Sequence, residues 1–283
     1  MSVVWLNGAL VDEQDARISP FDRGFLLGDA VFEALRVYRG RPHALPQHLA
    51  RLRASCAETR LPFPEGLERA VAQVVAANAL PESSLRITVT RGAGGRGTSP
   101  EGAGPSTVLV HVAPILHRPE IYARGLRVVS AKRRRIPPSS LPSTIKSTNY
   151  LVHVLARIEA EEAGADDALF VDDERQVVEA TQANVFALLG EELVTPPLAS
   201  GCLPGQTRAE VLALAPALGL KPIERALPLS TLRDAREVML TASVLEVAPV
   251  VSLDGAPVGG GAPGPVARRL HELYRKHALS ESP

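Results

Sequence analysis

One lysine stands where its amine could act as a nucleophile. Lys146 lies in the segment Thr144–Tyr150, behind two prolines and at a predicted boundary between a loop and a helix. A lysine in such a place can lose part of its hydration, and a desolvated amine attacks carbonyl carbons. Most lysines are solvated surface charges, so an ordinary surface residue remains the alternative on position alone.

A second segment has the chemistry of an anion site. Leu203–Arg208 reads Leu-Pro-Gly-Gln-Thr-Arg, which predicts a turn followed by a helix. The first amides of that helix, those of Gln206 and Thr207, have no partner within the helix. They point outward at the positive end of its dipole, where a phosphate can bind. The alternative is an ordinary helix start with Thr207 near the cap.

Two glycine-bearing segments hold charged side chains. Gly92–Gly97 lacks the lysine and the Ser/Thr of a P-loop, and no dinucleotide fingerprint follows a strand there. We interpret it as a flexible active-site loop that carries one cation, Arg96, with a solvent-exposed hairpin tip as the alternative. Arg23–Glu33 places an arginine and two carboxylates beside a strand start, which by itself indicates only a bend closed by a salt bridge.

Composition narrows the classes of function. The 283 residues include 31 basic and 31 acidic side chains, and 45% of the chain is hydrophobic, as in globular proteins. The zero net charge argues against nucleic-acid binding, and two cysteines argue against a disulfide scaffold or a four-ligand zinc site. The histidines lack metal-ligand spacing, so we expect no metal. Without a membrane-spanning apolar run or a signal-peptide pattern, we expect a cytoplasmic protein with no membrane partner.

Hydrophobic periodicity and turn residues predict the elements that position these groups. The predicted strands are Val3–Leu6, Ala9–Val11, Val31–Tyr38, Leu85–Thr90, Thr107–Ala113, Leu126–Ala131, Ala168–Val171, Val177–Val178, Asn184–Leu188, Leu193–Thr195 and Glu237–Thr241. The predicted helices are Pro46–Glu58, Glu65–Ala79, Ser147–Ala163, one that opens after Gly205 and one from Pro265. Strands in runs, without strict alternation with helices, indicate an α+β fold in two lobes. Periodicity is lost over His117–Gly125, which predicts a joint.

Seven motifs occur along the chain in the order of one enzyme family. They are Asp22-Arg23-Gly24 with Gly28-Asp29 and Phe32-Glu33, His48–Leu52, Thr90-Arg91-Gly92, Lys146-Ser147 with Asn149–Leu151, Glu179–Thr181 with Asn184–Phe186, Leu203–Gly205 with Thr207-Arg208, and Thr241–Ser243 with Glu246–Pro249. This ordered set resembles the class IV (fold type IV) pyridoxal-phosphate aminotransferases. That family includes branched-chain and D-amino-acid aminotransferases, together with aminodeoxychorismate lyase.

The resemblance implies a fold, a cofactor and an assembly. It implies a two-domain α+β enzyme with a small α/β sandwich lobe over residues 1–118, a linker over 119–125 and a larger pseudo-barrel lobe over 126–283. Pyridoxal 5′-phosphate would lie in the cleft between the lobes, and the second subunit of a homodimer would line the substrate pocket. The substrates would be an amino acid and a 2-oxo acid, which exchange an amino group by a ping-pong mechanism.

The resemblance also carries cofactor roles onto particular residues. Lys146 resembles the lysine that holds the cofactor as an internal aldimine and moves the proton between Cα and C4′. Glu179 resembles the glutamate that keeps the pyridine nitrogen protonated, which makes the ring an electron sink. The other cofactor ligands implied are Arg51, Gln206, Thr207 and Ser243 at the phosphate, Leu203 on one ring face and Tyr150 at the 3′-oxygen.

The substrate side rests on fewer motif residues. The resemblance assigns to it Phe32, Arg86, Arg96 and Ala242, and the two arginines are the candidates for binding the α-carboxylate. Phe32 stands where a tyrosine is common, which removes one hydroxyl from the carboxylate pocket. Whether L- or D-amino acids are preferred stays open.

Two alternative functions accompany the aminotransferase. The glycine-rich loop also resembles aminodeoxychorismate lyases, which release p-aminobenzoate and pyruvate with the same cofactor. The motifs around Phe32 and Lys146 favour an aminotransferase over that lyase. A cofactor-binding protein without catalytic activity would be expected to have lost Lys146, Glu179 or Arg51, and all three are present.

Overall fold

The computed structural model describes residues 2–115 and 120–280 and confirms the α+β class. The strands are β1 (Val3–Leu6), β2 (Ala9–Asp12), β3 (Ala30–Tyr38), β4 (Arg41–Pro42), β5 (Glu82–Thr90), β6 (Gly94–Arg96), β7 (Ser99–Ala103), β8 (Val108–Ala113), β9 (Leu126–Ser130), β10 (Asp167–Val171), β11 (Val177–Ala180), β12 (Asn184–Leu189), β13 (Glu192–Thr195), β14 (Lys221–Glu224), β15 (Glu237–Ala242), β16 (Glu246–Leu253) and β17 (Ala256–Pro257). The α-helices are α1 (Arg23–Leu27), α2 (Leu45–Glu58), α3 (Leu67–Asn78), α4 (Glu120–Arg124), α5 (Leu151–Glu162), α6 (Gln206–Leu214), α7 (Leu229–Arg233) and α8 (Pro265–Ser280). These residues separate into two compact units, one of residues 2–115 with 144–149 and one of residues 120–143 with 150–280.

An antiparallel sheet with the strand order β2-β1-β8-β5-β3-β4 forms the framework of the first unit. The strands predicted over Val3–Leu6 and Ala9–Val11 form its first hairpin, and the Asn7-Gly8 pair between them has φ angles of 50° and 108°, which suit a type I′ turn. Helix α2 packs against β3, and α3 packs against β1 and β8. Because side chains alternate along a strand, Phe32 and Arg86 lie on the face opposite to the one that carries Glu33 and Ile87.

The segment Gly92–Gly97, interpreted as a flexible loop with a hairpin tip as the alternative, contains strand β6, which pairs with β7. The loop prediction was wrong because glycine, serine and proline have low strand propensity, whereas this pairing is set by anchors elsewhere in the unit. The Arg23 amide donates to the Gly92 carbonyl at 2.9 Å. A Cβ atom at Gly92 would lie 2.0 Å from the Pro105 carbonyl oxygen, so the chain crossing requires glycine there.

A mixed sheet forms the framework of the second unit. Its order is β11-β10-β9-β16-β15-β12-β13-β14, with β17 paired to β16. Val177 at one end of this order and Ile223 at the other belong to the same apolar cluster, which also contains Leu169, Val185 and Leu240. A sheet whose two ends share one core must curl, and it forms the half-barrel that the resemblance implied.

Three helices of the second unit cover the outer surface of this sheet. Helices α6 and α8 enclose a second apolar cluster, in which Val211 and Tyr274 meet Phe186 and Met239 of the sheet. Helix α5 packs on β10, with Ala156 against Phe170. Among the described residues, no helix combines the length and the apolarity that a membrane crossing demands.

The helix predicted over Ser147–Ala163 begins only at Leu151. Residues 144–149 instead run beside the start of β3, where the Phe32 amide donates to the Lys146 carbonyl at 2.9 Å. The Thr148 amide donates to the Ala30 carbonyl at 3.0 Å. The prediction was wrong at this end because the segment finds strand-like partners far away in sequence, and local helical periodicity carries no information about them.

The predicted joint over His117–Gly125 lies partly outside the described residues. Residues 117–119 belong to the part that the structure does not describe, whereas Glu120–Arg124 forms α4. The domain limits at 118 and 126 therefore stay a prediction. Strands β14 and β16 and helices α1 and α7 were not predicted, since each is short or contains a proline, as β16 contains Pro249.

Candidate active site

Lys146 is fixed in the first unit through its backbone. Besides the bond to the Phe32 amide, its own amide donates to Ser55 Oγ at 3.2 Å, and that hydroxyl donates onward to the Thr144 carbonyl. The side chain is half-buried, and its Nζ lies 4.7 Å from the centroid of the Phe32 ring. An amine placed on an aromatic face has lost part of its water shell and is held in one direction, as a nucleophile needs.

Arg86 contacts the same aromatic ring. Its Cζ lies 3.7 Å from the Phe32 centroid, and its Nε donates to Thr88 Oγ1 at 3.1 Å. The guanidinium of Arg86, on strand β5, and the Lys146 amine therefore both contact the Phe32 ring. The structure brings three of the predicted site residues of the first unit together: Lys146, Phe32 and Arg86.

Arg51 is held by a buried carboxylate. Its Nε and Nη2 donate to the two oxygens of Glu33, each at 2.7 Å, and Glu33 also accepts from His48 Nδ1 at 2.7 Å. Burial alone raises the pKa of Glu33, but the bonds from Arg51 and His48 outweigh it and lower that pKa to about 2. Burial lowers the pKa of His48, which favours its neutral form. The guanidinium orientation is thus fixed by a fully buried anion on β3.

Arg96 lies in β6, where it pairs with Ser99 across the hairpin, and its side chain is exposed. The alternative interpretation of this segment, an exposed hairpin tip, describes Gly97–Pro100 as the structure shows them. A guanidinium at such a tip is available to a ligand, but its position depends on what holds the hairpin.

Glu179 lies on β11 in the second unit and is buried. Its Oε2 accepts from the Leu203 amide at 2.9 Å, and its Oε1 forms an ion pair with Arg135 Nε. Leu203 and Glu179, predicted separately as a ring contact and as an acid, are therefore joined directly. Arg135 was missed, although it ends a run of four basic residues, Lys132–Arg135, next to prolines.

The start of helix α6 has the features of an anion-binding site. Its capping residue is Gly205, which has no side chain to accept from the first amides, those of Gln206 and Thr207. Asn184 Nδ2 donates to the Leu203 carbonyl at 2.9 Å, and a Cβ atom at Gly205 would lie 2.1 Å from Asn184 Oδ1. The predicted turn and helix start are confirmed, and glycine at 205 is required by this close approach.

Thr207 and β15 complete the surroundings of that helix start. The Thr207 hydroxyl is buried 3.3 Å from the Tyr274 hydroxyl, so this side chain faces α8. Its amide, like the others of the first turn, points toward the start of the helix. Thr241, opposite Asn184 on β15, has a buried hydroxyl without a hydrogen-bond partner among the described residues. Ala242 ends β15, and Ser243 follows it.

Tyr150 immediately precedes helix α5 and stacks on a histidine. The ring centroids of Tyr150 and His153 lie 4.4 Å apart at an interplanar angle of 18°. His153 Nδ1 donates to the Thr181 carbonyl at 2.7 Å, and the Thr181 hydroxyl donates to Asp167. Burial raises the pKa of Asp167. His153 was also missed, and its only sequence signal is its place three residues after Tyr150.

Within the parts of the chain that the structure describes, no three His, Cys, Asp or Glu side chains are grouped as a metal site would need. A family model described as amino-transferase class IV matches residues 30–253.

The chain belongs to the class IV aminotransferases. A putative branched-chain-amino-acid aminotransferase of Methanocaldococcus jannaschii is 36% identical over 275 residues, which cover 96% of this chain and 95% of that protein. A D-alanine aminotransferase of Bacillus licheniformis is 34% identical over 283 residues, covering 99% and 98%. Among solved structures, a branched-chain aminotransferase from the thermophilic archaeon Thermoproteus uzoniensis with norvaline matches with a TM-score of 0.91 and 29% identity, covering 99% of this chain and 95% of that chain.

This class IV aminotransferase thus has the fold type IV architecture. The family that the seven motifs indicated is confirmed. The enzyme class is confirmed as well: the protein is an aminotransferase. All three relatives described above are named as aminotransferases, which supports this function over the lyase. The roles of the individual site residues stay predictions.

Proposed function

We propose that this class IV aminotransferase binds pyridoxal 5′-phosphate through Lys146 and transfers an amino group between an amino acid and a 2-oxo acid. The observation that carries the proposal is the shared Phe32 ring, which has the Lys146 amine at 4.7 Å and the Arg86 guanidinium at 3.7 Å. A nucleophilic amine next to a cation that can bind a carboxylate is the pair of groups that amino-acid chemistry needs.

The residues of the second unit fit the phosphate of this cofactor. The amides of Gln206 and Thr207 open a helix whose cap has no side chain, and Gly205 allows the backbone to approach Asn184 closely. The Thr241 hydroxyl, opposite Asn184 in the sheet, is buried and has no hydrogen-bond partner among the described residues. Ser243 would add a hydroxyl at the end of β15. The remaining phosphate ligand of the proposal, Arg51, belongs to the first unit, where Glu33 orients its guanidinium.

The cofactor, when bound, supplies an aldehyde and a protonated pyridine ring that withdraws electrons from the substrate Cα. Lys146 would hold the aldehyde carbon and then, as a free amine, move the proton at Cα. Glu179, oriented by Arg135 and the Leu203 amide, would keep the pyridine nitrogen protonated. Leu203 would pack on the cofactor ring. Tyr150, which stacks on His153, would donate a hydrogen bond to the 3′-oxygen of the cofactor.

On the substrate side, Arg86 and Arg96 would bind carboxylate, Phe32 would line the pocket, and Ala242 would lie at its edge. Two relatives are named for branched-chain amino acids and one for D-alanine, so small or branched aliphatic amino acids are the class to test first. The relatives do not decide the stereochemistry, because one of them is named for a D-amino acid and the others are not.

A homodimer is part of the proposal. Helix α5 exposes Leu151, Val154 and Ile158, which are 71%, 51% and 43% accessible and share one helix face. Helix α1 separately exposes Phe25 at 77%. Apolar side chains exposed in groups mark interfaces. Light scattering on the purified protein should give about twice the chain mass of 30.1 kDa.

The proposal also places the protein in the cytoplasm. Its two cysteines, Cys56 and Cys202, are free and buried, as is usual in a reducing compartment. Burial raises the pKa of both thiols, to about 11 for Cys56, so neither is a reactive thiolate.

The test is a transamination assay with a panel of L- and D-amino acids and with 2-oxoglutarate or pyruvate as acceptor. Lys146→Ala should lower kcat by at least about a thousandfold, because it removes both the cofactor attachment and the base. Lys276→Ala, at an exposed lysine of α8, is the matched control and should retain the wild-type rate. Full activity in Lys146→Ala would refute the proposal, as would release of p-aminobenzoate from aminodeoxychorismate with no detectable transamination.

A further inference from the structure

The buried guanidinium of Arg23 binds the turn of the β6–β7 hairpin. Its Nη1 donates to the carbonyl oxygens of Gly97 at 3.2 Å and Ser99 at 2.9 Å, and its Nη2 donates to that of Thr98 at 3.1 Å. The side chain is only 5% accessible. Three successive carbonyls of one turn are therefore bound by a single rigid, charged donor group, which is the strongest kind of hydrogen-bond donor that the turn could have.

Arg23 is itself held from the other side. Its Nε donates to Asp29 Oδ2 at 2.9 Å, and the same oxygen accepts from Arg91 Nε at 2.8 Å. Arg91 is tied in turn to the Thr59 carbonyl, at the end of α2, at 2.8 Å. Burial raises the pKa of Asp29, but its two arginine partners reverse the shift and lower it. The turn is thus connected through Arg23 and Asp29 to the helical layer of the first unit.

The base of the hairpin has an anchor of its own. Asp22 Oδ2 accepts from the hydroxyls of Thr90 at 2.8 Å and Thr107 at 2.7 Å, on the two sides of the hairpin. Asp22 also forms a bridge to Ala93. Loss of the Arg23 contacts would therefore release the turn while the base stays attached.

Between these anchors, the described part of the chain makes few other contacts that hold the hairpin. Residues 94–103 are mostly exposed and contain Gly94, Gly95, Gly97 and Gly102, all with positive φ. Glycine backbones lose the most conformational entropy on ordering, and a two-stranded hairpin is at best marginally stable by itself. At Gly95, a Cβ atom would lie 2.8 Å from Arg23 Nη1, so the guanidinium fills the space that a side chain would need.

We propose that Arg23 is a positioning residue that holds the Gly97–Ser99 turn and thereby fixes Arg96 for binding the substrate carboxylate. Arg96 directly precedes the turn and pairs with Ser99, one of the residues that Arg23 binds. The part of this inference that concerns the substrate rests on the proposed function; the part that concerns the hairpin does not.

The first experiment measures the hairpin without any substrate. Trypsin can cut after Arg96, which is exposed and is followed by Gly97, only when the hairpin opens. In Arg23→Gln, cleavage of the native protein at the Arg96–Gly97 bond should be at least about ten times faster than in the wild type, because three charged hydrogen bonds to the turn are lost. Arg69→Gln, at an exposed arginine of α3, should leave the cleavage rate unchanged.

A second variant covers the case in which Arg23→Gln does not fold. Arg23→Lys keeps the charge beside Asp29 but replaces the planar donor, so fewer turn carbonyls can be bound. It should also increase cleavage after Arg96, by a smaller factor. Unchanged cleavage in a folded Arg23 variant would overturn the proposal.

The second experiment links the hairpin to substrate binding. Arg23→Gln and Arg96→Gln should each raise KM for the amino acid by about tenfold, with a smaller effect on kcat. The double variant should raise KM no further, because both changes remove the same contact. Additive effects on KM, or an unchanged KM in Arg23→Gln beside a raised KM in Arg96→Gln, would overturn the substrate part of the proposal.

The two experiments separate failure of this inference from failure of the proposed function. If the wild type shows no transamination, the proposed function fails, and the cleavage rate after Arg96 still decides whether Arg23 holds the turn. If transamination is present and Arg96→Gln leaves KM unchanged, the substrate part is overturned while the function stands.

Discussion

Replacing Glu33 by glutamine should destabilise the protein through a single buried cluster. The carboxylate is fully buried on β3 and accepts from Arg51 through two nitrogens and from His48 through Nδ1, with every distance at 2.7 Å. In Glu33→Gln the charge is lost, and the new NH₂ group, which is itself a donor, would face other donors. The Arg51 guanidinium would then be left buried without its anion.

Two routes give the magnitude. The pKa of Glu33 falls from its ordinary 4.5 to about 2 in the folded protein, which corresponds to about 3 kcal/mol of stability at neutral pH. Removing one partner of a buried ion pair typically costs about 3–5 kcal/mol. We therefore expect Glu33→Gln to lower the free energy of unfolding by about 3 kcal/mol at pH 7.

The assay is urea unfolding followed by circular dichroism, on the wild type and the variant at several pH values. Because the folded pKa is depressed, the contribution of Glu33 is complete above pH 4.5 and is lost as the pH falls toward 2. The difference between wild type and variant should therefore shrink by more than half between pH 7 and about pH 3. A difference below about 1 kcal/mol at pH 7, or one that does not change with pH, would refute the reasoning.

The matched control is Glu58→Gln, at an exposed glutamate at the end of α2. It removes the same charge from the same unit without a buried partner. Surface substitutions of this kind change stability by about 0.5 kcal/mol or less. An effect of Glu58→Gln as large as that of Glu33→Gln would show that net charge, and not the buried cluster, is responsible.

Two other substitutions have outcomes that the structure determines. Gly205→Ala should destabilise the protein by about 1–3 kcal/mol and weaken phosphate binding, because its Cβ would lie 2.1 Å from Asn184 Oδ1. Gly260→Ala, where a Cβ meets open space, should do neither. Thermal unfolding of both variants with and without pyridoxal phosphate measures the two effects. Asp167→Asn should leave stability at pH 7 unchanged or raised, the opposite of Glu33→Gln. The reason is that burial raises the pKa of Asp167, so its charged form is costly above its ordinary pKa of 3.8. A decrease of about 2 kcal/mol or more in the free energy of unfolding, measured in urea, would contradict this.

Local sequence signals predicted the elements whose causes are local. The Asn7-Gly8 hairpin, helix α2 and the α6 start were all predictable because turn chemistry, periodicity or helix capping acts within a few residues. The β6–β7 hairpin was not predictable in this way, since Arg23 and Asp22 determine its pairing from about 70 residues away in sequence. The extended course of residues 144–149 also depends on β3, which is more than 100 residues distant.

The same distinction applies to the candidate site. Motif order identified Lys146, Arg51 and Glu179, but it gave no partner for any of them. The structure supplies these partners: Phe32 for Lys146, Glu33 for Arg51, and Arg135 for Glu179. Such pairings depend on register and on helix packing, so they follow from the folded structure and not from residue spacing. From the sequence, Phe32 is predicted only to line the substrate pocket, Glu33 is only a motif residue, and Arg135 has no predicted role.

Whether Lys146 holds the cofactor can be tested by reducing the protein with borohydride in the presence of pyridoxal 5′-phosphate and mapping the modified lysine by mass spectrometry. The chain has four lysines, so Lys132, Lys221 and Lys276 serve as internal controls. We expect stoichiometric modification of Lys146 alone, found in a tryptic peptide that runs uncut through residue 146. Modification spread over the other three lysines, or none at Lys146, would contradict it.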